Sequence, residues 1–110
     1  MQPELFFRAL GDRTRLRCLL MLVDQAELCV CEMVYALELS QPRISRHLAQ
    51  LRDQGIVEDE RRGQWVYYRL SPDLPAWAGQ VLAAARDAGQ PDALTRRLTT
   101  MPNRPQAGCD

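Results

Sequence analysis

The sequence predicts a mainly α-helical domain carrying one β-hairpin, in the order α-α-α-α-β-β-α, on three observations. Apolar residues recur at helical spacing up to residue 53, β-branched and aromatic residues flank Gly63 between residues 56 and 70, and helical spacing resumes from Leu74. A chain of 110 residues fits a single small domain with an adequate core. The start, MQPELFFRALGDRTR, has no basic segment followed by a long apolar one, and the densest apolar run, CLLMLV, is too short to span a bilayer. The expected compartment is therefore the cytoplasm, with no membrane partner. There thiols stay reduced, and closely spaced cysteines bind metal or sense a signal.

Each element has its own signal. ELFFRAL, residues 4 to 10, reads as a short apolar helix ended by Gly11, expected in the left-handed conformation, and Asp12 can cap the next helix. In RTRLRCLLMLV, residues 13 to 23, Leu16, Leu19, Leu20 and Val23 fall on one stripe. Val30, Met33 and Leu37 repeat that spacing, and Ser40 then caps a helix with Pro42 in its first turn. Ile44, Leu48 and Leu51 give this fourth helix its apolar side, and Gly55 closes it. IVEDERRGQWVYYRL reads as two strands around a turn at Gly63, with Trp65, Tyr67 and Tyr68 packing wing and core. After SPD, Leu74, Trp77, Val81 and Ala84 sit at helical spacing, a stripe that belongs either to the protomer core or to a dimer. Residues 1–88 are expected to form one folded domain, and residues 89–110, rich in Pro, Gly and polar residues, a flexible tail with at most one short helix.

The net charge is zero, yet its distribution is uneven: all fourteen basic residues are Arg, and Arg43, Arg46 and Arg52 lie in a stretch without acids. The outward side of the helix starting at Gln41 carries Pro42, Arg43, Ser45, Arg46, Ala49 and Gln50. Arg can donate bidentately to guanine and Gln to adenine, Ser can reach bases or phosphate, and small residues permit close approach. This face suits a major groove. Arg61 and Arg62 at the hairpin tip suit a phosphate backbone or a minor groove. Taken together, the order of elements is that of a winged helix-turn-helix, with the hairpin as wing.

The stretches LGDRTRLRCLL, LSQPRISRHLAQLRDQGIV and RRGQWVYYRLSP closely resemble the arsenic-responsive repressors of the ArsR/SmtB family, and the likeness runs through nearly the whole of residues 4 to 88. Within that family, ELCVCE, residues 27 to 32, resembles the sensor sequence of the arsenite-responsive branch. The resemblance implies a homodimer that binds a palindromic operator and leaves it when trivalent arsenic or antimony, As(III) or Sb(III), binds Cys29 and Cys31. It implies DNA contacts by Gln41, Arg43, Ser45, Arg46 and the wing arginines. It also implies a dimer interface built by the first and last helices, here with Leu5, Phe6, Leu74, Trp77 and Val81. Some members of the branch carry a third Cys where this chain has Val34; Cys109 is the candidate third ligand. Cys18 lies amid CLLMLV and reads as a buried structural thiol. Zinc, bound by the last helix in other members, has only Asp73 and Asp87 to meet it here.

Two thiols are soft ligands and select thiophilic centres. A helix N-terminus favours the thiolate, so a lowered thiol pKa is expected. In a regular helix residues i and i+2 lie about 200° apart, so ligation by both cysteines is expected to deform the first turn and tilt the following helix. A thiol-based redox regulator or another soft-metal sensor on the same scaffold is the alternative, although Cys-x-Cys in a helix is a poor disulfide geometry. An enzyme ranks last, for there is no Cys-x-x-Cys near a βαβ pattern, no phosphate loop and no evident acid-base partner for a thiol. His47, the sole His, is expected to pack beside Ile44 and Leu48 as a hydrogen-bonded flank of the recognition helix and not as a metal ligand.

Overall fold

The computed structural model describes residues 1–89 and 91–104. The elements are α1 (Pro3–Leu10), α2 (Arg13–Asp24), β1 (Leu28–Cys29), α3 (Val30–Leu37), α4 (Gln41–Asp53), β2 (Val57–Arg62), β3 (Trp65–Leu70), α5 (Ala76–Ala88) and α6 (Pro91–Leu98). This is a winged helix-turn-helix, with two elements beyond the expected order: β1 and a packed α6.

Helix α2 is the hub, touching α1, α4, α5, α6 and β3. Its Cys18, Leu19, Leu20, Met21 and Leu22 are all buried, so the stripe anticipated from spacing is only part of a helix enclosed on most sides. Asp12 caps it, accepting from the Arg15 N–H at 3.0 Å, and that bond is the main reason the Asp12 carboxyl lies below its ordinary pKa. Gly11 ends α1 with φ −73°, in right-handed space and not in the left-handed conformation expected. The small residue matters there for room, since a Cβ would lie 3.3 Å from the Arg8 carbonyl oxygen.

The turn between α3 and α4 is tight. Glu38 takes the left-handed conformation, φ 57°, and its N–H bonds the Val34 carbonyl at 3.0 Å. Ser40 then caps α4 through the Arg43 N–H. Ile44, Leu48 and Leu51, all fully buried, tie α4 to a core that includes Leu19, Met33 and Ile56. Gly55, φ +78°, turns the chain from α4 into the wing. The sheet runs β1-β3-β2 and is antiparallel throughout, with Cys29 opposite Tyr67 and Arg62 opposite Trp65. Gly63, φ +61°, and Gln64 form the two-residue turn at the tip.

Helix α6 lies against α2 and α3. Leu98 is fully buried, the Arg97 guanidinium stands 5.7 Å from the centre of the Tyr35 ring, and the hydroxyls of Tyr35 and Thr100 are 2.8 Å apart. One short helix, the most that the sequence reading allowed in this region, is present, and its docking on α2 and α3 departs from the flexible tail expected there. Leu94 and Leu98, one helical turn apart, are too brief a pattern to announce burial in a polar segment. Among the described residues, no helix is long and apolar enough to cross a membrane.

Candidate functional site

Cys29 is the residue preceding α3 and Cys31 stands in its first turn. Cys29 has extended geometry, φ −73° and ψ 149°, because it belongs to β1 and pairs with β3. The helical rotation that would separate the side chains therefore does not apply, and the Cys31 thiol donates to the Cys29 sulfur at 3.0 Å. This corrects the expectation of divergent sulfurs: the pair converges without deforming the helix, and the helical objection to a disulfide falls with it. The pKa expectation is also reversed. Burial, then the neighbouring Cys29 sulfur, pushes the Cys31 thiol up to about 12. Cys18 is fully buried, and desolvation holds its thiol at about 12 as well.

Sequence reading did not single out Glu32. It is 3% exposed; one carboxylate oxygen accepts the Cys29 N–H at 2.8 Å and the other accepts from Arg104 at 2.6 Å. Arg104 also donates to the Gln25 side chain at 3.2 Å, so the stretch after α6 grips the thiol turn. The spacing of Glu32, three residues after a helix-preceding residue, is the capping-box signature that marks it in the sequence. Cys109 lies outside the described residues.

A cavity of about 360 Å³ opens beside the thiols and is walled by Gln41 and Ser45 of α4 and by Trp65 and Tyr68 of the wing. On the solvent side of α4, Gln41, Pro42, Arg43, Arg46 and Gln50 are exposed and Ser45 is half-buried. The Gln41 amide donates to the Ser45 hydroxyl at 2.9 Å, and Gln50 accepts from Arg15 at 3.2 Å. Arg43 and Arg46 make no ion pair among the described residues. Beside them, Arg13 and Arg17 of α2 share a cleft with Arg43. Their spacing of four along one helix was the available signal for these two, and it was not used. His47 packs on the flank as expected, but the expected hydrogen bond is not seen among the described residues: Nε2 lies 3.8 Å from the Asp12 carboxylate and Nδ1 is buried and unpartnered.

The wing arginines differ from each other. Arg61 is exposed, and among the described residues its side chain bonds the Gly63 carbonyl, at 3.2 Å, and no carboxylate. Arg62, expected at the DNA, is instead committed: it donates to both Glu27 oxygens at 2.6 and 2.7 Å and to Glu60 at 3.1 Å, and lies over the Tyr67 ring. Strand alternation places Arg62 on the face of Glu60, and that face turns toward the loop carrying Glu27.

The expected dimer residues also divide. Phe6 is fully buried within the protomer, edge-on to Trp77 at 5.2 Å, and has no surface left for a partner. Adjacent helical residues point about 100° apart, so only one of two consecutive phenylalanines can face the core. Phe7 is the exposed one, 51% accessible and stacked on Trp77 at 6.4 Å. Leu5, Leu74, Trp77 and Val81 are half-buried.

Comparison with known proteins places this geometry. The family model described as "Bacterial regulatory protein, arsR family" matches residues 12–59, from the α2 cap into the wing. The arsenic resistance transcriptional regulator ArsR1 of Pseudomonas putida is 54% identical over 109 residues, 96% of this chain and 84% of that protein. The chain belongs to the arsR family. Among solved structures, reduced HlyU from Vibrio cholerae is similar with a TM-score of 0.71 and 33% identity, over 79% of this chain and 87% of that one. The AntR antimony-specific transcriptional repressor gives 0.65 and 26% identity, over 76% and 72%. The arsR family is one of transcription regulators, and the match spans the face of α4 and its support.

Proposed function

We propose that this protein is a metalloid-responsive repressor of the cytoplasm that binds operator DNA as a homodimer and is released when As(III) or Sb(III) binds Cys29 and Cys31. The observation that carries this is the convergence of two thiols, 3.0 Å apart, on a cavity whose far wall is the reading helix. The names of the similar ArsR1 and AntR proteins support the choice of inducer.

Gln41, Pro42, Arg43, Ser45, Arg46 and Gln50 read the major groove, Arg13 and Arg17 neutralise flanking phosphate, and Arg61 reaches past the wing tip. Arg62 braces the wing. The dimer forms on Leu5, Phe7, Leu74, Trp77 and Val81, where an exposed aromatic and a half-buried apolar stripe meet.

Cys31 enters as the thiol, consistent with its raised pKa. Arsenite, As(OH)₃, exchanges two hydroxyls: two As–O bonds break, two As–S bonds form, and each thiol proton leaves with a hydroxyl as water. Arsenic stays trivalent. A third bond goes to the remaining hydroxyl or to Cys109, five residues beyond the Arg104 that already touches Glu32. The new ligand sits against Gln41 and Ser45, so it favours conformations in which α4 has shifted from its groove. A coupling of about 1 to 3 kcal/mol weakens operator binding roughly 5- to 150-fold.

The deciding experiment is fluorescence anisotropy on labelled DNA from upstream of the gene, titrated with arsenite under reductant, for wild type and Cys29→Ser. Release of wild type alone supports the proposal; retention of both removes the inducer. The 3.0 Å contact also favours a second reading, oxidation of the pair to a disulfide. Release by peroxide that dithiothreitol reverses, without response to arsenite, would select it.

A further inference from the structure

We infer that α6 and the segment running on to Arg104 form a latch that presets the geometry of the thiol turn, with Glu32 as the positioning residue through which it acts. This deepens the proposed function and rests on it for the effect on arsenite, while the latch itself concerns only the turn. The strap is fastened along its length. Thr95 donates to Asp24 at the end of α2 at 3.3 Å, Leu98 is fully buried, and Arg97 donates to the Tyr35 carbonyl of α3 at 3.4 Å. Beyond the helix, Asn103 takes the left-handed conformation, φ 55°, which Asn adopts more readily than most residues. From that turn Arg104 reaches back to the protein, where it bridges Gln25 at the end of α2 and Glu32 in the first turn of α3, at 3.2 and 2.6 Å.

Glu32 carries the effect of the latch to the thiols. It is buried, and Arg104 supplies its one ion pair among the described residues. A carboxylate held out of water is stable there only while a cation and hydrogen-bond donors meet it. Its other oxygen accepts the N–H of Cys29, the residue that joins β1 to α3 and whose sulfur lies 3.0 Å from that of Cys31. Two arrangements follow. With Arg104 docked, the carboxylate stays inside, Cys29 is fixed and the sulfurs converge. With Arg104 away, Glu32 turns out to water, the Cys29 N–H loses its acceptor and the two thiols move independently. The first arrangement favours a centre that needs both sulfurs at once, because the ordering is already done. The second favours reagents that take one thiol at a time. The C-terminal segment therefore sets the affinity of a turn from which it is separated by some seventy residues of chain.

The test uses the full chain in a Cys109→Ser background and compares Arg104→Ala, Arg104→Lys and Asn103→Val with that parent. Iodoacetamide labelling followed by peptide mass spectrometry reads each cysteine, and Cys18, fully buried in α2, reports opening of the whole fold. Arsenite affinity is read from intrinsic tryptophan fluorescence, since Trp65 lines the cavity beside the thiols. Arg104→Ala is expected to speed labelling of Cys29 and Cys31 about tenfold relative to Cys18, and to weaken arsenite binding by a similar factor. Arg104→Lys, which keeps the charge, should recover part of both. Asn103→Val puts a β-branched residue where the backbone is left-handed, and should act in the same direction without altering either partner of the ion pair. Unchanged labelling in Arg104→Ala, a parallel rise at Cys18, or faster labelling with arsenite affinity intact would overturn the inference and leave the arsenite sensor standing. A parent protein that never binds arsenite would instead remove the proposed function, and the labelling ratios would still decide the latch.

Discussion

The arginines on and around the first turns of α4 and those of the wing, Arg61 apart, are the same residue type on neighbouring surfaces, and they are used in opposite ways. Arg43 and Arg46, with Arg13 and Arg17 beside them, carry charge that no carboxylate offsets among the described residues. In the wing and at its base, Arg52 pairs with Asp59 at 3.1 Å, Arg62 with Glu27 and Glu60, and Arg69 with Glu58 and Glu60. A zero net charge is thus compatible with a cationic face, because the acids are gathered where they hold the sheet together. Counting arginines near a wing tip overstates its attraction for phosphate; counting the unpaired ones does not.

Removing the unpaired charge should have the largest effect. Arg43→Ala combined with Arg46→Ala is expected to lower operator affinity by about two orders of magnitude or more. The slope of log affinity against log salt should become shallower by about 2 if both residues contact phosphate. Anisotropy across a salt series measures both. An unchanged slope would mean that these residues read bases or do not touch DNA.

The braced charge at the thiol turn should respond in stability. Glu32→Ala strands Arg104 and leaves the buried Cys29 N–H without its acceptor, at an expected cost of about 2 to 4 kcal/mol. Urea unfolding reads it, and an unchanged midpoint would mean that the C-terminal grip is not held in solution. Within the wing, Arg61→Ala should weaken operator binding by less than about tenfold. Arg62→Ala should instead lower the melting temperature by a few degrees while leaving the salt slope as it was. If Arg62→Ala flattens that slope, the division between free and braced arginines fails at that residue.

The smallest effect expected is on pH dependence. The hydrogen bonds from Arg62 hold the Glu27 carboxyl below its ordinary value of 4.5. The stability this adds is present in full above the unfolded value of 4.5 and is lost as pH falls through the lower folded value. Arg62→Ala should therefore flatten the acid limb of a stability profile below that point and leave the neutral region parallel. Equilibrium unfolding at a series of pH values checks it.

Much of this protein was open to reading in order along the chain. The stripes of α2 and α4, the Asp12 and Ser40 caps, the Gly63 hairpin and the outward set from Gln41 to Gln50 depend on spacing and on neighbours within a few residues, and the structure reproduces them. The two thiols were visible as a pair for the same reason. Their geometry was not. Cys29 is extended because Leu28 and Cys29 join a strand some forty residues further on, and that pairing, not helix rotation, brings the sulfurs together.

What the sequence determined by itself is the set of elements apart from β1, the cationic outward face of α4 and the presence of a dithiol, all consequences of local periodicity and composition. Tertiary structure alone decided which of Phe6 and Phe7 faces the core, which arginines remain free, where α6 docks and how the thiols meet. Arg62 finds Glu27 across 35 residues and Arg104 finds Glu32 across 72. Such partners are chosen by the packing of elements against one another, and no pattern within a few residues of either group encodes which charge it will meet.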